Sequence, residues 1–208
     1  MNRILIETQY LPSLEFFCAI RNADEIQIEC CEHFVKRSYR NHTFIRGANG
    51  VEKMVVPLTA KGNRVMMKDV LLDDNQSWRN NHWRTIESAY RKSPYYEHYE
   101  GDLQKVIKGQ QKHLLQLNKD LLTLCLKWLN WSVKISETGI FAAAPEHTTD
   151  MRNVLLSKKP YTERKFYRPV VYTQVFGSVF VENLSVLDLL FCKGPEAAMV
   201  LRASALNL

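Results

Sequence analysis

Apolar positions along the chain switch between two rhythms, and the switches mark its elements. Arg3-Ile4-Leu5-Ile6-Glu7 is a short β-rich run, and Glu25-Ile26-Gln27-Ile28-Glu29-Cys30 alternates as a strand with one buried face does. Between them, Pro12-Ser13 opens a helical stretch with Leu14, Phe16, Phe17, Cys18, Ala19 and Ile20, which Asn22-Ala23-Asp24 stops. Strand, helix and strand within about 30 residues is the length of a βαβ crossover, so the two strands are expected to be parallel. A strand over Asn41–Arg46, a turn at Gly47-Ala48-Asn49-Gly50 and a partner strand over Glu52–Leu58 read as a hairpin. Lys68–Leu72 reads as a further short strand.

The rhythm becomes helical from Asn75. One helix is expected over Gln76–Lys92, and Pro94 opens a second that runs to Lys108. A third spans Gln110–Asn130, with Leu114, Leu117, Leu121, Leu124, Cys125 and Trp128 on its apolar face. Ser136–Thr173 has the poorest pattern and reads as loop with one short helix over Asp150–Leu156. Val170–Tyr172 reads as strand, and Leu184–Phe191 and Pro195–Leu206 as helices. The expectation is one α/β domain over 1–208. Its small, mixed, partly parallel sheet comes mainly from residues 1–74, and helices from 75–208 pack against it.

Composition adds bounds. At 208 residues, with 46% apolar residues, the chain can build a core without disulfides or metal. A net charge of +6 favours phosphate-bearing partners, nucleic acid or an anionic surface, and solubility alone also accounts for it. No apolar run is long enough to span a bilayer, and no leader-like segment opens the chain, so a cytoplasmic location is expected. The five cysteines read as reduced and mostly buried, with Cys30 and Cys31 on opposite faces of a strand. Without a CxxC pair or a histidine cluster, neither a metal nor another cofactor is expected.

Three constellations carry candidate chemistry. In Lys36-Arg37-Ser38-Tyr39-Arg40-Asn41-His42-Thr43-Phe44-Ile45-Arg46, four fixed cations lie in a stretch with no acid between Glu32 and Glu52. Arginine forks there suit a phosphate or carboxylate, and the bland alternative is a solvated edge strand guarded by its charges. On the helix that follows, Trp78, Arg79, His82, Ile86, Ala89 and Tyr90 share an arc. His82 is then either a hydrogen-bonded core histidine or a general acid/base, and Arg79 reaches a carboxylate or a bound anion. Near the end, Asn183 is placed to cap a helix, and Asp188 interrupts an apolar run. Asp188 is either paired, with Arg40 or Arg79, or functional. His33, His98, His113 and His147 lack partners, and no Gly-rich phosphate loop, nucleophile elbow or kinase signature is present.

In order along the chain, Tyr10-Leu11-Pro12 with Phe16-Phe17, Asn22-Ala23-Asp24-Glu25, Lys36–Asn41, Val56-Pro57-Leu58, Trp78 with His82, Ile86-Glu87 and Tyr90, Pro94-Tyr95-Tyr96, Tyr172, Gln174, Phe176, Asn183–Phe191 and Gly194-Pro195-Glu196 resemble the WbqC-like family of bacterial proteins. The resemblance is closest to the shorter members from Bacteroidetes-type bacteria. It implies a role in making or decorating precursors of O-antigen-type surface polysaccharide, with glycine or another acyl group passed to an amino sugar. The implied partner is a phosphate-bearing small molecule, a nucleotide sugar or an activated acyl donor. His82 and Asp188 are then the catalytic candidates. Tyr10, Lys36, Arg37, Ser38, Arg40, Asn41, Arg46, Trp78, Arg79, Gln174 and Asn183 are the binding candidates, with Glu32 as an orienting acid. The chain departs from relatives at Thr8-Gln9, where many have Gln-Pro, and at His42, where they often have arginine. It also lacks the Asn-Pro-x-Gly-Gly element of longer members. The opening strand, Pro loop, helix and strand is faintly similar to the start of nucleotidyltransferase-type folds, with Pro12-Ser13-Leu14-Glu15 where those have Gly-His. Two other classes stay open: a non-catalytic partner in a glycan-assembly complex, and a nucleic-acid module using Lys36–Arg46 and Lys158–Arg168.

Overall fold

Strands Arg3–Glu7 (β1) and Glu25–Glu29 (β2) pair in parallel, in the register Arg3↔Glu25 to Glu7↔Glu29, around helix Leu14–Ile20 (α1). The expected crossover is therefore present in a computed structural model that describes residues 2–59, 65–143 and 145–206. Lys134–Glu137 (β5) adds to β2 and Thr149–Asp150 (β6) adds to β1, giving a four-stranded parallel sheet in the order β5-β2-β1-β6. His42–Gly47 (β3) and Gly50–Val55 (β4) form the antiparallel hairpin as a separate pair. The fold is thus α/β with parallel and antiparallel parts, and two of its sheet strands come from beyond residue 130.

Pleating gives the sheet two unlike faces. Ile4, Ile6, Ile26 and Ile28 point into the main hydrophobic core, where α1 is buried along its whole length. Helices Trp78–Tyr90 (α2), Tyr96–Ile107 (α3), Leu114–Trp128 (α4), Val186–Lys193 (α5) and Ala197–Ser204 (α6) supply most of the remaining apolar surface. The opposite face carries Leu5, Gln27 and Glu29 and is covered by residues of the 138–148 segment.

Some expectations need correction. Lys68–Leu72 is not a strand: Met67–Asp69 forms a 3-10 turn, and the segment is tied to its neighbours by the isolated bridges Leu58↔Leu72 and Leu71↔His113 and by single backbone hydrogen bonds such as Lys68 N–H to Cys30 O. Asp150–Leu156 is not helical, since Thr149–Asp150 is committed to the sheet. Val170–Tyr172 forms no strand. Cys30 and Cys31 lie past the end of β2, where the strand alternation no longer applies, and their Sγ atoms are 3.9 Å apart on one side.

Asn183 does cap a helix, but a different one from the helix it precedes. Its Oδ1 accepts from the Glu15 backbone N–H at 2.9 Å, at the start of α1. Ser185 Oγ caps α5 through the Leu187 N–H. The Leu14 N–H donates to Leu184 O and the Val186 N–H donates to Pro12 O, so α1 and α5 start from one shared junction. Asn183 sits at φ 50°, a left-handed conformation that asparagine tolerates better than alanine. Asn183→Ala should therefore lower unfolding free energy by about 2 kcal/mol, from lost capping and added backbone strain. Urea denaturation checks this, and a change below about 0.5 kcal/mol contradicts the cross-capping role.

Candidate functional site

All four strands of the parallel sheet end in an acid: Glu7, Glu29, Glu137 and Asp150. From β1 the chain places β2 and β5 on one side and β6 on the other, so the strand order reverses beside β1. In open α/β sheets the crevice outside the carboxyl ends at such a reversal is where ligands bind. Glu7 and Glu29 are buried there and require partners, because buried carboxylates without them are strongly disfavoured, whereas Glu137 and Asp150 are exposed; counter-charges gather at the same edge.

Two arginines and a lysine supply them. Arg152 Nη1 donates to Glu29 Oε2 at 2.9 Å and also grips Asp150, while Lys119 pairs with Glu137. Glu29 Oε1 accepts from the Cys31 N–H and from Thr138 Oγ1, both at 2.8 Å. Arg40, only 1% exposed, forms a two-point pair with Glu32 at 2.7 and 2.8 Å and reaches Asn153 Oδ1 at 3.3 Å. Its carbonyl accepts from Asn118 Nδ2 of α4 at 2.8 Å. Glu7 is different, as its Oε2 accepts from the Asn153 backbone N–H at 2.9 Å and no arginine among the described residues is bonded to it. Burial pushes its carboxyl above the ordinary range, and the nearby Arg40 charge opposes this only in part.

Two further features mark this edge. Gln9, two residues past Glu7 and buried, has no partner for either amide atom among the described residues, and the Thr8 hydroxyl is likewise unpartnered. Unmet buried polar groups cost about 1–3 kcal/mol each, a strain that functional sites tend to hold. At the Arg40–Glu32 pair, a cavity of about 410 Å³ is lined by Cys31, Glu32, His33, Val35, Met66, Phe141 and Asn153. The arrangement offers a protonatable buried carboxyl beside a fixed guanidinium, with an exposed Asn153 at the rim.

The residues expected from sequence fall into several groups. Tyr10, Trp78 and His82 pack together, with Tyr10 Oη 2.9 Å from His82 Nδ1 and the Trp78 and His82 ring centres 5.2 Å apart. Burial holds the His82 imidazole down to about 4, and a hydrogen bond with the Val55 backbone opposes the shift. His42 is held to about 4 by burial and then by the Lys53 charge. Arg79 donates to Asp74, and to the carbonyls of Ile107 and Gln111 at 2.9 and 2.7 Å, which closes the end of α3.

Arg46, Gln174 and Asp188 form another group. Asp188 accepts from Tyr172 Oη at 2.7 Å and Gln174 Nε2 at 2.8 Å, so its expected pairing with Arg40 or Arg79 is replaced by these donors. Burial raises its carboxyl, with the Tyr172, Gln174 and Tyr90 hydrogen bonds and then the Arg46 charge opposing. Gly177, at φ +79°, leaves room for Arg46: a Cβ there would lie 2.1 Å from Nη2. Ser38 Oγ donates to Val35 O, and Asn41 Nδ2 donates to Val56 O, so both hold the backbone around Arg40. Lys36 and Arg37 are exposed, and the Arg37 carbonyl accepts from Ser157 Oγ. Asn183 serves the α1 cap, where buried Glu15 also pairs with Arg164 at 2.6 Å.

Sequence reasoning passed over Glu7, Gln9, Glu29, Arg152 and Asn153. The available signal was the repeated ending of the short β runs, Arg-Ile-Leu-Ile-Glu, Glu-Ile-Gln-Ile-Glu and Lys-Ile-Ser-Glu. Comparison with known proteins adds a family match: the model of the WbqC-like protein family matches residues 8–162. The Mycobacterium tuberculosis protein "Uncharacterized protein Rv1507c" is 24% identical over 223 residues, covering 95% of this chain and 96% of its own length. No solved structure matches.

The buried histidines give a pH prediction. His82 stays neutral in the fold down to about 4 but titrates near 6.5 once unfolded, so the unfolded chain takes up its proton first. Its contribution is full above pH 6.5 and falls away as pH drops towards 4, by at most about 3 kcal/mol. The raised carboxyls of Glu7 and Asp188 act in the opposite sense, so the contribution is read by difference. Unfolding free energies from pH 7 to 4 should fall less steeply for His82→Gln than for the parent. Parallel curves contradict the assignment.

Proposed function

We propose that this chain, which belongs to the WbqC-like protein family, is a transferase acting on a phosphate-bearing donor, with its chemistry at the carboxyl edge of the parallel sheet. The observation that carries this reading is Glu7, a buried carboxyl at the strand-order reversal, raised above its ordinary range by burial and without a direct arginine bond among the described residues. A carboxyl raised above its ordinary range is a stronger base once ionised, which suits it to general acid/base catalysis of group transfer. The setting is the precursor biosynthesis of surface polysaccharide that the sequence resemblance implies.

In this reading Glu7, as the carboxylate, takes the proton of the acceptor nucleophile as that nucleophile bonds to the group being transferred, and the bond from that group to the phosphate-bearing part of the donor breaks, that part leaving with the electron pair. Arg40, fixed by Glu32, lies close enough to favour the Glu7 carboxylate when it forms, yet burial keeps the protonated state accessible. Gln9 supplies an unmet donor and acceptor for orienting substrate. Arg40 is not the phosphate ligand, since Glu32 already occupies its fork; the exposed Lys36 and Arg37 take that part. His82 and Asp188 act as positioning residues. His82 anchors the Tyr10 turn next to Gln9, and Asp188 anchors Gln174.

Glu7→Gln keeps the shape and removes the proton exchange. With a donor found by thermal shift among nucleotide sugars and activated acyl compounds, turnover followed by mass spectrometry should drop 100- to 10,000-fold, roughly the range for general acid/base groups. Donor-induced stabilisation should persist, at about 2.7 kcal/mol for donor at 100 times its Kd. Undiminished turnover in Glu7→Gln contradicts the proposal.

A further inference from the structure

A second cleft lies where the hairpin meets the irregular segment that runs on from Asn153. Its volume is about 270 Å³, and Tyr39 and Phe44 line it from the hairpin side. Lys158, Lys159 and Tyr161 line it from the other segment, and Glu182 completes this part of the wall. The volume is just under the roughly 300–1,000 Å³ of pockets that enclose whole ligands, so a larger molecule seated here leaves one end in solvent.

The residue types are complementary to one class of molecule. Tyr39 and Phe44 stand edge to face at 6.3 Å, both packed around the buried His42, so the aromatic wall is fixed before any ligand arrives. Tyr161 is held by its hydroxyl, which donates to Glu182, and by an edge-to-face contact with Tyr167 at 5.2 Å. The Lys53 ammonium sits 5.8 Å from the Phe44 ring centre. No ion-pair partner is seen for Lys158 or Lys159 among the described residues, and both are exposed at the rim. Aromatic faces accept a nucleobase by stacking, whatever its identity. Exposed ammonium groups attract phosphate. Glu182 is unsuited to a bare phosphate cluster, because its charge repels it, but a carboxylate in this position accepts hydrogen bonds from ribose hydroxyls.

We propose that this cleft is a nucleotide site: the base lies against Tyr39, Phe44 and Tyr161, the ribose hydroxyls donate to Glu182, and the phosphates meet Lys158 and Lys159. The inference deepens the transferase reading by making the donor a nucleotide derivative, and it rests on that reading only for the word donor. The segment that carries Lys158 and Lys159 begins at Arg152 and Asn153, so one stretch of chain serves both the carboxyl edge and the nucleotide. Ser157 Oγ, bonded to the Arg37 carbonyl, brings the Lys36-Arg37 turn to the same rim.

Isothermal titration of the full chain with ADP and UDP, adenosine and uridine, and inorganic pyrophosphate tests this. At least one diphosphate should bind saturably, and more weakly as salt is raised. Its nucleoside and pyrophosphate should each bind tenfold or more weaker, because neither engages all three groups. The double variant Lys158→Gln, Lys159→Gln and the single variant Tyr161→Leu should each weaken the diphosphate about tenfold, with unfolding midpoints checked so that loss of fold is not mistaken for loss of site. Pyrophosphate binding as tightly as both diphosphates, no saturable binding of either, or undiminished binding in the folded lysine variant overturns the proposal. Binding that persists in Glu7→Gln without turnover in either protein sinks the transferase reading alone.

Discussion

Buried acids need partners, and the three that are met by arginines tie distant parts of this molecule together. Glu15, Glu29 and Glu32 are each gripped by a guanidinium, from Arg164, Arg152 and Arg40. The partners lie 149, 123 and 8 residues apart in sequence, so two of the three pairs cross-link the irregular 138–168 region to the sheet and to α1. That region has few regular hydrogen bonds of its own, since β6 has only two residues. Removing one member of such a pair strands the other charge in the interior, at a cost of about 3–5 kcal/mol. The pairs therefore fix where the loops lie, more than they add to net stability.

The same requirement separates structural arginines from available cations. The Lys36–Arg46 stretch carries four fixed positive charges, yet it is not a single basic surface. Arg40 turns inward to Glu32, Arg46 is wedged against Gly177 near Asp188, and only Lys36 and Arg37 face solvent. The carboxyl edge is in consequence acid-rich, with Glu7 left as the group whose charge is least directly met.

Periodicity made the first strand pair, the hairpin and all the long helices legible, because each buries one regular stripe of apolar side chains. β5 and β6 were not legible. Ile135 is the only apolar residue in Lys134–Glu137, and Thr149–Asp150 has none, so their pairing depends on the preformed edges of β2 and β1. The site was legible in residue types more than in roles. His82 and Asp188 looked reactive because each interrupts an apolar stripe, and both are buried among hydrogen-bond partners. Asn183 was recognisable as a cap, but the helix it caps is 168 residues away in sequence, which no local pattern encodes. Glu7 closes an ordinary strand, and its raised carboxyl follows from burial and long-range neighbours alone.

Everything proposed for the carboxyl edge depends on burial raising the Glu7 carboxyl above the ordinary glutamate range at the strand-order reversal. The most direct measurement is a carbon-13 NMR titration of the Glu7 side-chain carboxyl in the folded protein, assigned by its loss in Glu7→Gln. The expected midpoint lies clearly above the ordinary glutamate value of about 4.3. A midpoint at or below that value would contradict it, since a fully ionised Glu7 would be one more paired structural acid.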